Sequence, residues 1–425
     1  MEFFFHMKTP ELYKVFIAHP NITTDSRNIK KNSIFIALKG DKFNGNKYAQ
    51  QAIDNGCKYA VIDDENYQLN SKYLLVKDSL QCLQDLAKYH REQLTIPIIA
   101  ITGTNGKTTS KELIRRSLSS KFKTAATKGN FNNHIGVPLT LLEITKNHQI
   151  AIIEMGANHE KEINLLCEIA QPNYGIITNI GKAHLEGFKN LEGVKRAKKE
   201  LYDYIHNNNG KIFINRDDLI LNEISKKINS ISYGKLGDIN GSIKTRSPYI
   251  SILYNDIEIS TKLIGDYQFY NIMLAICVAN YFNISIEDIR YKISTYKPDN
   301  NRSQVIEKNS NTLILDAYNA NPSSMREMLE SFFSMQNKNK ICILGEMGEL
   351  GEFSRNEHLN IVELVKKLKI KTFFIGQEFM NIKKENTYLS IADFNKYLNK
   401  HPIKKSTILI KGSRSMTLEK LTDKL

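Results

Sequence analysis

Ile98-Ile99-Ala100-Ile101-Thr102, followed by Gly103-Thr104-Asn105-Gly106-Lys107-Thr108-Thr109, is the stretch from which the fold is read. The first five residues predict a buried strand, and the run Lys111 to Leu118 behind the loop predicts a helix. Strand, Gly-rich loop and helix in that order make a phosphate-binding turn. Glycines let backbone N–H groups approach phosphate oxygens, and the N-terminus of the helix favours an anion. Lys107 is placed to reach β and γ phosphates, and the Thr108 hydroxyl to ligate Mg²⁺. Gly103, Thr104, Asn105, Gly106, Lys107, Thr108 and Thr109 are therefore the expected nucleotide-binding residues. The loop departs from the commonest spacing, G-x-x-x-x-G-K-S/T, because Ile101 holds the place of the first Gly and Gly103 sits closer in. A chance turn carrying Gly-Lys-Thr is the bland alternative, and the strand and helix around it argue against it.

Outward from this loop, short β-branched runs alternate with helical stretches. Candidate strands are Ser33 to Leu38, Tyr59 to Ile62, Ile98 to Thr102, Ile150 to Met155, Gly175 to Asn179, Lys211 to Asn215, Thr312 to Asp316, Lys340 to Leu344, Thr372 to Ile375 and Thr407 to Lys411. Between several of them apolar residues recur at helical spacing, as in Leu80, Leu83, Leu86 and Ala87. The pattern predicts an α/β protein of parallel sheets covered by helices. A chain of 425 residues exceeds the usual size of a single core. Breaks at Gln93 to Pro97 and at Lys297 to Asn301 divide it into expected domains 1–96, 97–298 and 299–425. Gly234 to Glu258 reads as a small β-excursion within the middle one, and no internal repeat is seen.

Composition narrows the class. The apolar fraction is 41% and the charged fraction 24%, ordinary values for a globular chain. Met1 to Met7 carries three consecutive Phe but no signal-peptide pattern, and no run approaches the ~20 apolar residues of a membrane span. Cys57, Cys82, Cys167, Cys277 and Cys342 lie far apart, which argues against a zinc site or a disulfide framework and fits a reducing cytoplasm. The formal charge of +14 is spread along the chain rather than gathered in a tract. A solvated Lys-rich surface explains it better than nucleic acid does, and the dispersed field favours small anionic substrates.

A phosphate loop does not separate a ligase from a motor or a switch. Ile150 to Met155 carries Glu154 near its carboxyl end, where an acid beside the loop holds Mg²⁺. A solvent-facing Glu is the alternative. His184 follows the strand Gly175 to Asn179. With Glu154, Lys107 and the basic helix around Lys198, it is a candidate ligand for a second metal, or else a satisfied structural histidine.

These residues resemble the Mur ligase family, most closely its MurF-type branch, over nearly the whole chain. In the first domain the resemblance rests on Thr24-Asp25-Ser26-Arg27 and Phe35 to Gly40. In the second it rests on the phosphate loop, Gly129-Asn130 through Asn133 to Pro138, Ile153-Glu154-Met155-Gly156-Ala157-Asn158-His159 and His184-Leu185-Glu186-Gly187-Phe188. The third contributes Asp316-Ala317-Tyr318-Asn319-Ala320-Asn321-Pro322, Gly345 to Gly351 and Lys411-Gly412-Ser413-Arg414-Ser415. The Gly-Ala-Asn-His and Tyr-Asn-Ala-Asn-Pro stretches point to the MurF type within the family.

The resemblance implies a UDP-substrate domain, a central ATP-binding domain and a Rossmann-like third domain. It implies an ATP- and Mg²⁺-dependent ligase, a monomer of the cytoplasm that joins D-alanyl-D-alanine to UDP-N-acetylmuramoyl-tripeptide through an acyl phosphate. Lys107 would hold the γ phosphate, Thr108 and Glu154 one Mg²⁺, and His184 with a carbamylated Lys198 a second. Asn271 would face the adenine, with Arg302, Asp316 and Tyr318 closing over the nucleotide. Ser26, Arg27 and Lys39 would bind the uridine diphosphate, Asn130 and Asn133 further parts of the substrate, and Asn319, Asn321, Ser413 and Arg414 the dipeptide. Without the resemblance, Lys198 reads as one more basic residue on a solvated helix. Local alternatives also stand for Asn319 and Asn321, as caps of a helix near Pro322, and for Arg27 and Arg414, as partners of nearby acids.

Two segments depart from the family pattern. Its Gly-x-His-Asn-x-x-Asn reads Gly265-Asp266-Tyr267-Gln268-Phe269-Tyr270-Asn271, and its Asp-Gly-His reads Asn44-Gly45-Asn46. Two rival readings remain: a MurE-type ligase adding the third amino acid, and a nucleotide-dependent switch or nucleic-acid-binding protein.

Overall fold

The computed structural model describes residues 6–299, 301–337 and 339–425. The Phe run within Met1–Phe5 and Asn300 of the second expected break lie outside the described residues. Three principal sheets follow one another along the chain. In the first, Ile22–Thr23, Ile34–Ile36, Tyr59–Ile62 and Tyr73–Leu75 lie side by side in that order, all parallel. A hairpin of Lys39–Gly40 and Phe43–Asn44 projects from it.

The second sheet carries the phosphate loop. Its seven parallel strands run Ile239–Asn240, Ser230–Gly234, Lys211–Asn215, Tyr174–Ile177, Ile98–Thr102, Ile150–Glu154, Thr124–Ala126. All five residues of Ile98–Thr102 are buried, as a central strand covered on both faces requires. From this strand the chain goes to Thr124–Ala126, returns through Ile150–Glu154, and then crosses to Tyr174–Ile177 on the other side. The loops after Ile98–Thr102 and Tyr174–Ile177 thus diverge at a topological switch point, the place where an open α/β sheet leaves a crevice for a ligand. The expected β-excursion is the antiparallel sheet Ser242–Thr245, Ser251–Tyr254, Ile257–Ser260.

In the third sheet Gln304–Lys308 is antiparallel to Asn311–Asp316. The parallel strands Thr407–Lys411, Lys340–Gly345, Lys371–Ile375 and Thr387–Tyr388 follow. The α/β expectation holds.

Each of the ten expected strands is present within two residues at either end. Strands not anticipated are mostly short ones at sheet edges: Ile22–Thr23, Tyr73–Leu75, Thr124–Ala126, Ile239–Asn240, Gln304–Lys308 and Thr387–Tyr388. An edge strand makes one ladder instead of two and needs only a brief or half-buried apolar run, so it lacks the signal that marks a central strand.

One apolar cluster joins the first two sheets, running from Leu12 and Phe16 through Leu83, Leu86 and Ala87 to Ile98, Ala100 and Leu201. The helix Ser79–Glu92 is tied to the central sheet by polar bonds as well. Gln84 donates to His134 O at 3.1 Å, and Arg91 to Ala170 O at 2.9 Å.

Candidate active site

The phosphate loop is shaped by two glycines at positive φ, where side chains are disfavoured. Gly103 has φ 138° and Gly106 φ 80°. A Cβ on the first would lie 2.0 Å from Thr178 Oγ1, and on the second 2.6 Å from Asn271 Oδ1. The neighbouring strand end holds the loop: Thr104 N–H donates to Asn179 O at 3.0 Å, and Asn105 N–H to Asn179 Oδ1 at 2.9 Å. Lys107 opens the helix Lys107–Leu118. Its Nζ folds back onto Gly103 O (2.6 Å) and Thr104 O (3.1 Å). Burial lowers its pKa, partly opposed by the charge of Glu154.

Glu154 ends the adjacent strand and is 2% exposed, so the solvent-facing alternative does not apply. Thr108 Oγ1 donates to its Oε2 at 2.9 Å, and Asn132 Nδ2 to its Oε1 at 2.9 Å. The hydroxyl and carboxylate expected to share a metal ion are therefore adjacent. Among the described residues no three His, Cys, Asp or Glu side chains converge on a metal position. One hydroxyl with one carboxylate is the sparse oxygen set that suits Mg²⁺, whose remaining positions go to phosphates and water.

Lys198 lies on the helix Leu191–Asn207. Its neighbours pair with acids, Lys195 with Glu223, Arg196 with Glu160 and Lys199 with Asp203. Lys198 itself turns inward and is 3% exposed. Its Nζ stands 5.5 Å from the centre of the Phe188 ring. Burial, with a further contribution from the Lys107 charge, pushes its pKa down to about 7, so the neutral, nucleophilic amine is accessible near neutrality. Across Phe188, the His184 imidazole packs against the same ring and pairs through Nδ1 with Glu349.

Asn271 accepts from Ser110 Oγ at 2.9 Å and donates to Gln268 Oε1 at 2.8 Å. Gln268 thus supplies an acceptor in the segment that departs from the family pattern. Tyr267, the other departure, is half-buried, and its hydroxyl meets Ser303 Oγ at 3.1 Å. Ser303 donates in turn through N–H (3.0 Å) and Oγ (3.2 Å) to Asp316 Oδ1. Lys411 Nζ holds the other oxygen of Asp316 at 2.5 Å. Arg302 stacks on Tyr318 with 3.6 Å between guanidinium carbon and ring centre. A second cavity of about 480 Å³ adjoins Asn271 and shares Asn105, Gly106 and Glu327 with the main cleft.

The main cleft has a volume of about 510 Å³. It brings together Thr104 to Thr109, Asn130, Asn133, Glu154, His184, Lys198, Asn271, Arg302, Asp316, Tyr318, Asn319 and Asn321. Gly103, the first residue of the loop, does not line the cleft. Asn133 Oδ1 accepts the Gly136 N–H at 2.9 Å, and Asn319 Oδ1 its neighbour's N–H at 2.9 Å.

Five expected substrate residues do not line this cleft. Arg27 forks onto Asp25 at 2.8 and 2.9 Å, Lys39 pairs with Asp63 at 2.9 Å, and Ser26 Oγ meets Gln51 at 3.3 Å. Arg414 pairs with Glu419 at 2.8 Å, and Ser413 Oγ meets Ser415 Oγ at 3.1 Å. The Asn46 departure has a structural task, since its buried amide donates to Asp63 Oδ1 at 2.7 Å. The sequence reading gave no role to Lys411, Asn132, Glu327 or Glu349, which also line the cleft. Only Lys411 carried a local signal, as a charged residue closing an apolar strand.

Comparison with known proteins places three domain models along the chain. Residues 20–91 match the Mur ligase family, catalytic domain; 101–279 the Mur ligase middle domain; and 301–414 the Mur ligase, glutamate ligase domain. The UDP-N-acetylmuramoyl-tripeptide--D-alanyl-D-alanine ligase of Bacillus subtilis (strain 168) is 32% identical, across 97% of this chain and 94% of that protein. The ligase of the same name from Haemophilus influenzae is 33% identical across 94% and 92%. A crystal structure of MurF from Acinetobacter baumannii is similar with a TM-score of 0.86 at 31% identity, across 95% of this chain and 92% of that one. The MurF ligase of Thermotoga maritima in complex with ADP has a TM-score of 0.84 at 26% identity, across 95% and 96%.

Proposed function

The chain belongs to the Mur ligase family, and from that premise we propose that it joins D-alanyl-D-alanine to UDP-N-acetylmuramoyl-tripeptide with ATP, in peptidoglycan precursor synthesis. The observation that carries this reading is the single cleft in which the phosphate loop, Glu154 and Lys198 meet Arg302, Asp316 and Lys411 of the third sheet's unit. An enzyme that must keep an acyl phosphate from water needs walls contributed from both sides.

The tripeptide carboxylate attacks the γ phosphorus of ATP, ADP departs, and an acyl phosphate forms. The amine of the dipeptide then attacks the carbonyl carbon, inorganic phosphate leaves, and an amide remains. Lys107 exchanges its two loop carbonyls for phosphate oxygens and opposes the repulsion between carboxylate and nucleotide. When bound, Mg²⁺ held by Thr108 and Glu154, and a second ion held by His184 and a carbamylated Lys198, supply further charge neutralisation. The buried amine of Lys198 suits carbamylation, because only a neutral amine attacks CO₂. Asn271 orients the adenine, and Arg302, Asp316 and Tyr318 complete the nucleotide site.

Residues 1–96 take the UDP end of the substrate through Ser26, Arg27 and Lys39, 97–298 the ATP, and 299–425 the dipeptide. In this reading Asn130 and Asn133 meet the peptidyl part, and Asn319 the dipeptide. The protein works as a cytoplasmic monomer on small molecules, in support of wall growth, cell shape and division.

The test is phosphate release from purified protein with substrates offered one at a time. Release should require UDP-N-acetylmuramoyl-tripeptide and D-alanyl-D-alanine together, and neither lysine nor diaminopimelate should replace the dipeptide. Consumption of the UDP-dipeptide with a free diamino acid would overturn the reading.

A further inference from the structure

Two residues of left-handed backbone clasp each other across the cleft. His184, with φ 50°, precedes the short helix Leu185–Phe188 of the central unit. Glu349, with φ 59°, lies in the loop after the third sheet's strand Lys340–Gly345. The Glu349 carboxylate meets His184 Nδ1, and its backbone carbonyl accepts Glu186 N–H at 3.2 Å. Gly351, at φ 51°, packs beside Glu186. On its other side the imidazole packs edge to face on Phe188, with ring centres 6.3 Å apart. Both residues line the main cleft.

The Glu349 carboxylate lies against Nδ1 as a close ion pair without an aligned hydrogen bond, and Nε2 is the other ring nitrogen. A carboxylate on Nδ1 selects the tautomer whose lone pair is on Nε2 and fixes the plane of the ring, which is how partners of metal-bound histidines act. Here that carboxylate comes from a different structural unit than the histidine. We propose that Glu349 is a positioning residue: docking of the third unit places its carboxylate on His184 Nδ1 and so presents Nε2 to the second metal position. This deepens the reading of His184 as a metal ligand and rests on it. The consequence is an ordered active site, in which the second metal position is complete only when the third unit, which supplies Asp316 and Lys411, is already docked.

The test uses Mn²⁺ as the probe, on the full chain with a non-hydrolysable ATP analogue. Bound ions are counted by electron paramagnetic resonance, and imidazole nitrogen coupling is read by spin echo. Wild type should show two bound ions, one with nitrogen coupling that His184→Ala abolishes. Glu349→Ala should weaken that ion by roughly 10- to 100-fold, the usual effect of losing such a partner, and leave the other unchanged. Glu349→Gln should restore part of the loss, because its amide oxygen can occupy the same place against Nδ1 without the charge. Full affinity and full nitrogen coupling in Glu349→Ala would overturn the proposal. So would absence of nitrogen coupling in wild type, which removes His184 as a ligand. The ligase assignment is judged separately, by substrate-dependent phosphate release, and can stand when this inference falls.

Discussion

Asn321 Nδ2 donates to Asn105 Oδ1 at 3.0 Å, so the phosphate loop is bonded directly to the first residue of a helix cap in the third unit. The same Asn321 side chain accepts from Ser324 N–H at 2.8 Å and caps the helix Pro322–Ser334. Its amide is committed at both ends, which fits a docking role better than the dipeptide contact expected from the resemblance. Nearby, Lys182 N–H donates to Ser323 Oγ at 2.9 Å, and Lys182 Nζ to Glu357 at 2.6 Å.

Asn321→Ser separates the two tasks. Serine caps a helix about as well as asparagine, so stability should change by no more than about 0.5 kcal/mol. It is too short to reach Asn105, and substrate-dependent phosphate release should fall several-fold. A variant with unchanged melting temperature and unchanged turnover would show that the bond to Asn105 has no part in activity.

Lys107→Ala removes the charge that the loop aims at the γ phosphate. Turnover should fall at least ~1000-fold while the circular dichroism spectrum stays that of wild type. Alanine opens the same helix without loss, so near-normal phosphate release by the folded variant would sink the assignment of the loop.

Lys198→Ala should be nearly inactive, with partial recovery on adding short carboxylic acids that replace the carbamate. Labelling with ¹³C-bicarbonate gives an independent measure: one carbamate resonance is expected in wild type and none in the variant. Wild-type protein without that resonance at saturating bicarbonate would count against the carbamate.

Arg27→Ala breaks an exposed fork with Asp25, both groups being open to solvent. Exposed pairs add little to stability, so the melting temperature should not move. If Arg27 leaves Asp25 for a diphosphate, KM for the UDP substrate should rise about 10-fold with KM for ATP unchanged. Parallel increases in both would assign Arg27 a folding role.

Glu327 carries a pH signature. Burial, opposed by the nearby Lys411, pushes its pKa up to about 7 from the ordinary 4.5. A carboxyl whose folded pKa is raised contributes its stability in full below the unfolded value, near pH 4.5, and loses it as pH rises through about 7. Glu327→Gln should therefore melt at the same temperature as wild type near pH 5 and at a higher one near pH 8, by an amount equivalent to about 1–3 kcal/mol. Equal melting curves at both values would mean that Glu327 is solvated and ionised throughout.

The sequence by itself determined what is local or periodic. The central strands announce themselves as continuous apolar runs because both their faces are buried. The phosphate loop is legible because its backbone path needs Gly103 and Gly106 within four residues of each other. Glu154 could be placed beside Thr108 because a strand end next to the loop has nowhere else to point. What only the tertiary structure decided are pairings between residues far apart in the chain, where several partners compete for one charge or amide. Arg414, expected on the dipeptide carboxylate, pairs with Glu419. Lys198, indistinguishable in sequence from Lys195 and Lys199, is the one that is buried, while those two find acidic partners in Glu223 and Asp203. Glu349 and Glu327 had no local signature of a site, and Lys411 only that of a charge closing an apolar strand. Their side chains reach the cleft only because the third unit docks on the second, and that docking is set by packing and by single bonds such as Asn321 to Asn105.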